Sequence, residues 1–581
     1  MAAGRPPSAR IAALAPPSAP SWAAAALRFP AWQAREEWFG SPPHLWSIAR
    51  PRPDHQAAAP RDFRPADLAR GRAVLAGGFA YDGLELQVGS DGDPWDRPAP
   101  SRAFAAELHR MDWLRDVLAA DEAGPEAALG LVHSWTRLFG RWNRFSWSAA
   151  CLPRRVFNLA CSLKLLSAQG EAAQARRLLE SLARQARHLL LLNDGPRWAA
   201  ERAAIAAVAG ASLAGPAGER LLAKGLERLT PALKATVLGD GGHASRSPEA
   251  GLELLLDLLT LDDALLQLGR PAPVEMARAI DRLGSGLRFF TLADGRLASF
   301  QGGEASEAAR VMAAASFGEA APPSEGLGPP PSPSAPHSGY EKLLGRRLQL
   351  IVDAAAPATG AWSETACAQP LAIEILAGPD RLITGSAWSC RAEGAPALRL
   401  TAGASTATLG RASAGQVTTG PRARVLGPWL EGGASVVRLS RHDADAGVWL
   451  ELAHDGWTRP FGLVHERRLY LDIAADELRG EDRVRPDADV AATESATLLA
   501  VRFHVQPGVD VAIQDGHKAI VLTGPSGQAW RLRHDAAEAS LEPSMHLQGG
   551  RPRRTSQILL QHPIRADRTA RVRWKLAAAD A

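Results

Sequence analysis

The hydrophobic positions change period once along the chain. From Arg102 to Phe317 apolar residues return every three or four positions, the spacing that gathers them on one face of a helix. The stretches Val156 to Leu166, Glu171 to Leu192, Ala199 to Leu213, Glu219 to Leu238 and Glu249 to Leu268 carry Leu and Ala in this rhythm. Asn193-Asp194-Gly195-Pro196 and Gly239-Asp240-Gly241-Gly242 supply turns between them, so antiparallel helix pairs without intervening strands are expected. Upstream, Phe79-Tyr81 and Leu84-Leu86-Val88 alternate like a hairpin. Residues 319–336, with Pro322-Pro323, Pro329-Pro330-Pro331, Pro333 and Pro336, cannot continue a helix and read as an extended linker. Beyond it the period falls to two: Leu348-Leu350-Val352, Leu371-Ile373-Ile375, Val448-Leu450-Leu452, Leu469-Leu471-Ile473 and Leu499-Val501-Phe503-Val505 suit strands. The expectation is a multidomain α and β chain: a Pro/Ala-rich tail or irregular wrap over 1–60, a helical domain over 61–318, the linker over 319–336, and a large antiparallel β domain over 337–581.

With 581 residues, 46% hydrophobic and 22% charged, the chain can fill more than one globular core, which excludes disorder and coiled coil for most of its length. The 66 basic and 62 acidic residues nearly cancel. A formal charge of +4 sets up no field that by itself recruits nucleic acid, and no nucleic-acid partner is expected. The four cysteines, Cys151, Cys161, Cys367 and Cys390, form no CxxC pair and lack the density of a disulfide scaffold. No uncharged apolar run reaches the ~20 residues that span a bilayer. Arg5 and Arg10 precede an uncharged stretch from Ile11 to Leu27 that has the look of a signal peptide, but Pro16, Pro17 and Pro20 break it.

The sequence holds no P-loop, no GxGxxG after a strand, no HExxH and no GxSxG elbow, so nucleotide, zinc-protease and serine-hydrolase readings lose their usual support. Trp135, Trp142 and Trp147 cluster before a helix, where packing is the commoner use of such rings, although flat aromatic faces also stack on sugars. Two polar knots fall at helix ends. Leu192-Asn193-Asp194-Gly195 reads either as a plain C-terminal turn or as part of a cleft. Asp240 to Glu249 joins Gly-rich backbone to His243 and Arg246, more than a turn requires, while Ser247 and Pro248 suit a helix start. In the β half, His454 beside Asp455-Gly456 reads as structural, or with His465 as a pair able to ligate a metal. Tyr340 opens the β half as an anchoring aromatic or a site residue.

These residues resemble the heparinase II/III-like proteins, in the form common in alphaproteobacteria. The matching stretches, in order, are Leu108 to Arg115, Trp142 to Trp147 with Arg154-Arg155, Asp240-Gly241-Gly242-His243 with Arg246-Ser247-Pro248, and Ser338-Gly339-Tyr340 with Leu350 to Asp353. Further along come His454 to Trp457 with Phe461 to His465, Gly480-Glu481-Asp482, and Pro552 to Thr555. The resemblance implies an incomplete α/α toroid followed by a β-sandwich domain, and a polysaccharide lyase that cleaves uronate-containing glycans by β-elimination. It also implies an Asn that neutralises the uronate carboxylate, with Tyr or His as base and acid. Carried over, Asn193 resembles the neutralising Asn and His243 lies in the motif that lines the cleft. Three positions depart: Asp194 follows Asn193 where family enzymes commonly have His, Glu249-Ala250 stand where a Tyr commonly follows the Ser-Pro pair, and Cys367 stands where the pattern His-Ala-x-x-Leu-Ser-Phe-Glu has His.

Two functional expectations follow. In the first, a lyase acts on an acidic poly- or oligosaccharide, with Asn193 as neutraliser, His243 and Tyr340 sharing proton transfer, and Arg246, Cys367 and His454 contacting substrate. In the second, a catalytically degenerate member binds glycan or assists envelope polysaccharide assembly. No cofactor is expected in either. The glycan resemblance suggests the cell envelope or periplasm, and the Pro-broken N-terminus a cytoplasmic alternative. Asn193, His243 and Arg246 are expected to share one concave pocket with a residue of the β half.

Overall fold

The computed structural model describes residues 8–13, 22–192, 195–319, 332–390, 395–492, 494–514, 516 and 518–579. Its first part is helical: α1 (Trp22–Gly40), α2 (Pro42–Ile48), α3 (Leu68–Leu75), α4 (Arg102–Arg110), α5 (Trp113–Ala120), α6 (Gly124–Phe139), α7 (Leu152–Gln169), α8 (Ala172–Leu189), α9 (Ala199–Ala211), α10 (Gly215–Thr236), α11 (Pro248–Gln267), α12 (Val274–Phe290) and α13 (Ala308–Glu319). The expected hairpin pairs Gly78–Tyr81 with Leu84–Gln87.

The helices form two layers, and composition sorts them. α9 is apolar nearly all round and every residue from Ala200 to Ala211 is buried, so it needs cover on all sides. It finds that cover between α7, α11 and α10. α8 has a single apolar stripe, burying Leu178, Leu182, Ala186 and Leu189 while its other face meets solvent. Thus α7, α9 and α11 make an inner layer and α8, α10 and α12 an outer one, the alternation of an incomplete α/α toroid. Gly210 lets α10 approach closely, since a Cβ there would lie 2.3 Å from the Leu222 nitrogen.

The stretch 1–60, expected to be a tail or wrap, instead contains α1, α2 and a strand, Ser8–Ala13, on the edge of a sheet. The prolines do not bar these helices: Pro42 and Pro43 start α2 after the Ser41 cap, where a missing N–H costs nothing, and Pro30 lies inside α1. Residues 54–64 then cross the inner helices. Ala57 and Ala58 donate to the carbonyls of Ser212 and Ala211, Arg61 N–H to Asp263, and the Arg64 guanidinium to Glu253 and Asp257.

The β half is two large antiparallel sheets packed face to face. One nine-stranded sheet runs in space as Ser8–Ala13, Val436–Ala444, Gly447–His454, Leu463–Asp472, Glu477–Pro486, Ala570–Ala578, Ala529–His534, Ala519–Thr523 and Asp510–Gln514. The other follows Glu538–Gln548, Arg551–Pro563, Leu498–Val505, Asp380–Thr384, Ile373–Ala377, Leu348–Asp353, Tyr340–Leu344 and Ser334–Ala335, with Ala407–Leu409 also paired to Leu498–Val505. Leu350, Ile375, Val501 and Phe503 of this second sheet meet Leu450, Leu469, Val484 and Trp574 of the first in one core. The opposite face of the second sheet docks on the helices: Tyr340, Ile351, Ala372 and Leu376 belong to the same core as α9, α11 and α12.

Candidate functional site

The site follows from one loop. Between α10 and α11 the chain reverses tightly, with Val237 bridging His243 and the Leu238 N–H donating to the Gly242 carbonyl at 2.9 Å. Gly241 makes this possible. Its φ is +82°, and a Cβ there would lie 1.9 Å from the carbonyl oxygen of Arg282. The Asp240 carboxylate accepts from the N–H groups of His337 and Ser338, both at 2.7 Å, fastening the loop to the start of the β half.

Arg246, at φ +66°, turns its guanidinium into the seam between the halves. Nε donates to the Ser338 carbonyl at 2.8 Å, Nη1 to Ala356 at 2.8 Å and Ala355 at 3.2 Å, and Nη2 to Gly339 and to the Asp353 carboxylate. Desolvation opposes the charge, but Asp353 more than restores it and the pKa is raised. Tyr340 lies under this cation, its ring centroid 5.0 Å from the guanidinium carbon, and its hydroxyl donates to the Arg246 carbonyl at 2.7 Å. Burial pushes the Tyr340 phenol well above its ordinary value, and Asp353 adds to the shift. Asp353 also accepts from Gln301 Nε2 at 2.6 Å, and Gln301 Oε1 accepts the Cys367 N–H at 3.0 Å. Cys367 is 1% exposed, packs with Trp388 and Leu547, and its thiol is pushed up to about 12, burial being the largest cause.

His243 is buried with its ring edge-on to Trp362 at 5.4 Å. Nδ1 accepts the Ser245 N–H at 3.1 Å, which assigns the proton of the neutral ring to Nε2, on the side of Glu201 Oε1 at 4.0 Å. Arg197, beyond the Gly195 turn, pairs with Glu364 at 3.1 Å. Trp362 and Glu364 belong to one short turn of the β half, Gly360–Glu364, so both helix-end loops reach the same piece of the second domain. Asn193 itself lies outside the described residues.

His243 and Arg246 both reach residues of the β half, Trp362 and Asp353, while the part of the expected pocket that Asn193 would supply lies outside the described residues. His243 and Ser247 line a small cavity with Gly251, Leu283 and Phe290, all from the helical half. A second one lies across the segment 299–302 and is lined by Gln301, Gln369, Ser386 and Trp388. Just after the segment 299–302 in the chain, Glu304 forms a carboxyl pair with Glu249. Glu249, in the first turn of α11, accepts the Ser389 hydroxyl at 2.8 Å and the Glu304 N–H at 3.2 Å, and Glu304 accepts the Gly550 N–H at 3.0 Å. Burial, then Glu249, raises Glu304 to about 7. In the sequence Glu249 stands out only as a residue at a place where a Tyr is common. Glu304 offered no signal, because only the fold brings it beside Glu249.

His454 lies in the sandwich core. Its Nδ1 accepts the Gly456 N–H, its Nε2 meets His465 Nδ1 at 3.0 Å, and His465 Nε2 meets Asp482 at 2.9 Å. Arg467 and the Trp574 indole also donate to Asp482. Burial lowers both imidazoles, so this is a relay of neutral rings anchored on a carboxylate held well below its usual range by Arg467. Among the described residues no group of three His, Cys, Asp or Glu side chains is arranged to hold a metal.

Residues 327–575 match the family described as Heparinase II/III-like, C-terminal. FtsZ-localized protein C of Caulobacter vibrioides is 47% identical over 582 residues, covering 100% of both chains. Heparinase III has the same fold at 14% identity, with a TM-score of 0.69 over 95% of this chain and 92% of that one. The heparan sulfate lyase HepC of Pedobacter heparinus, in a mutant form, superposes with a TM-score of 0.56 at 14% identity, over 94% of this chain and 88% of its own.

Proposed function

This chain belongs to the heparinase II/III-like family, and we propose that within it the protein is a catalytically degenerate member that serves as a rigid scaffold alongside FtsZ rather than as a lyase. The observation that carries this reading is the state of the groups that would move protons. Cys367 stands where the family resemblance has His, and a buried thiol pushed to about 12 neither takes nor gives a proton near neutrality. The neighbouring Tyr340 hydroxyl is spent on the Arg246 carbonyl, and the Arg246 guanidinium on four carbonyls and Asp353, which supports a seam built to hold the halves together. The name of the full-length relative supports FtsZ assemblies as the setting, hence a cytoplasmic one. No helix among the described residues is long and apolar enough to cross a membrane.

The test has two arms. Purified protein mixed with FtsZ polymers should sediment with them, and the same protein given a panel of uronate glycans should release no ultraviolet-absorbing unsaturated uronate. Release of that chromophore at a rate set by enzyme concentration would overturn the reading. A lyase reading keeps one specific support: Glu304, raised to about 7 at the seam, has the affinity of a general base, with Asn193 left to neutralise a uronate. In that case a chromophore would form and Glu304→Gln would abolish it.

A further inference from the structure

The outward face of the sheet that contains Gly447–His454 sets like charges opposite one another. Period two sends Leu450, Leu469, Leu478, Trp574 and Leu532 into the sandwich core and their neighbours outward. The pairing register lines up Trp449, Tyr470, Arg479, Lys575 and Arg533 as one row across five adjacent strands. With strands about 4.8 Å apart, the row is roughly 19 Å long. One end is aromatic: Trp449 is 46% exposed, its ring lies 4.4 Å from that of Tyr470, and Arg479 follows over the tyrosine at 5.8 Å. The other end is cationic.

Like charges directly opposite each other destabilise a sheet. Here Arg479 faces Lys575, Lys575 faces Arg533, and in a parallel row Arg483 faces Arg571. The carboxylates on this face are already engaged: Glu477 holds both Lys575 and Arg479, Glu481 holds Arg468 and Arg571, and Asp535 holds Arg573. Neither Arg483 nor Arg533 has an ion-pair partner among the described residues. A chain with a formal charge of only +4 has therefore gathered cations where they repel one another, the kind of local conflict that marks a functional surface.

We propose that this face is a docking surface for an extended acidic polypeptide segment bearing an aromatic residue. The carboxylates settle over Arg479, Lys575 and Arg533, and the aromatic side chain packs on the open face of Trp449. Charge complementarity selects an anion, and the row, one side chain wide, fits a chain of about six extended residues. A nucleic acid is disfavoured because Trp449 and Tyr470 stack on each other and so present one open face, rather than separate platforms for successive bases. The surface is separate from the seam that carries Glu249 and Glu304, so its fate does not depend on the scaffold reading.

The experiment titrates the whole protein into a labelled Glu-rich peptide of about ten residues containing one Phe. Fluorescence anisotropy is read at low and at moderate salt, with a Lys-rich peptide and an oligothymidylate as comparators. The acidic peptide should bind, weaken as salt rises, and lose about tenfold or more in affinity with Arg533→Glu. The same variant should unfold at equal or higher urea than wild type, because its like-charge contact with Lys575 has been removed, so lost binding cannot be put down to lost folding. Arg533→Gln should show an intermediate loss. Equal peptide binding by wild type and Arg533→Glu, tighter binding of oligothymidylate than of peptide, or no binding of the acidic peptide at low salt would each overturn the proposal.

Discussion

At the scale of single residues, the seam separates two kinds of loss. Arg246→Met leaves the buried Asp353 carboxylate with only the Gln301 amide and the Ala355 N–H as donors, and a buried carboxylate stripped of its cation costs about 3–5 kcal/mol. Tyr340→Phe removes one hydroxyl bond to a carbonyl that stays where it is, a loss of about 1–1.5 kcal/mol. Urea unfolding should therefore rank Arg246→Met well below Tyr340→Phe, and equal midpoints would show that the guanidinium adds nothing beyond packing. Glu304 gives a pH dependence with a definite sign. Its folded pKa, about 7, lies above the ordinary value of 4.5, so between those two values the folded state holds a proton that the unfolded chain has lost. The stability contribution is full below about 4.5 and fades as pH rises through about 7, with at most about 3 kcal/mol at stake. The groups that set it are Glu249, which raises the pKa, and Arg310 with the Gly549 and Gly550 N–H groups, which lower it. Wild type should lose stability relative to Glu304→Gln as pH goes from 5 to 8, and parallel urea midpoints across that range would refute the assignment.

Elements show how much the chain declares about itself. The three-to-four-residue rhythm located α7 to α11 because each buries a continuous Leu and Ala face, and the switch to period two located the sandwich because its strands cover one core. What stayed hidden depends on long-range partners. α1 and α2 look like a Pro-rich tail until His44 of α2 is seen against His188 of α8 at 3.2 Å and Phe39 against Trp142 at 6.3 Å. The site was half legible. The Asp240 to Glu249 stretch announced itself by composition, whereas the partners that define its role, Ser338, Asp353 and Glu304, lie tens of residues away and only the packing of the chain joins them. Trp135 and Trp147, open to a sugar-stacking role on sequence alone, are buried in the toroid core. Gly241 tests the loop as an element. A Cβ would strike the Arg282 carbonyl and also has to accept φ +82°, so Gly241→Ala should cost at least about 2 kcal/mol, whereas Gly269→Ala, at φ +65° with open space around it, should cost less. Comparable losses at the two positions would mean that backbone strain, and not the contact with α12, sets the need for glycine.

For the whole molecule the question is whether toroid and sandwich are two bodies or one. Their contacts are of the interior kind. Arg381, 3% exposed at its side chain, bridges Asp294 after α12 and Glu374 of the second sheet at 3.0 Å each, and Lys342 donates to the Thr291 carbonyl at 3.0 Å. Asp240 and Arg246 close the other side of the same seam, and Tyr340, Ile351 and Leu376 complete the helical core with side chains from the sheet. Neither half could leave without exposing that core and stranding Asp353 and Glu374 in a bare apolar face. The two halves should therefore unfold together, giving one calorimetric transition whose van't Hoff and calorimetric enthalpies agree, although a chain of this length commonly shows several. Cleavage at a protease site inserted within 320–331 should leave both fragments eluting as one species. Arg246→Met combined with Arg381→Met removes a buried cation from each side of the seam, and the two sites share no bonding partner, so their costs should add. In that double variant the single transition should split in two, the sandwich persisting on the strength of its own core. A wild-type scan that already resolves two transitions would show instead that the seam is a docking contact, and that the scaffold moves about it.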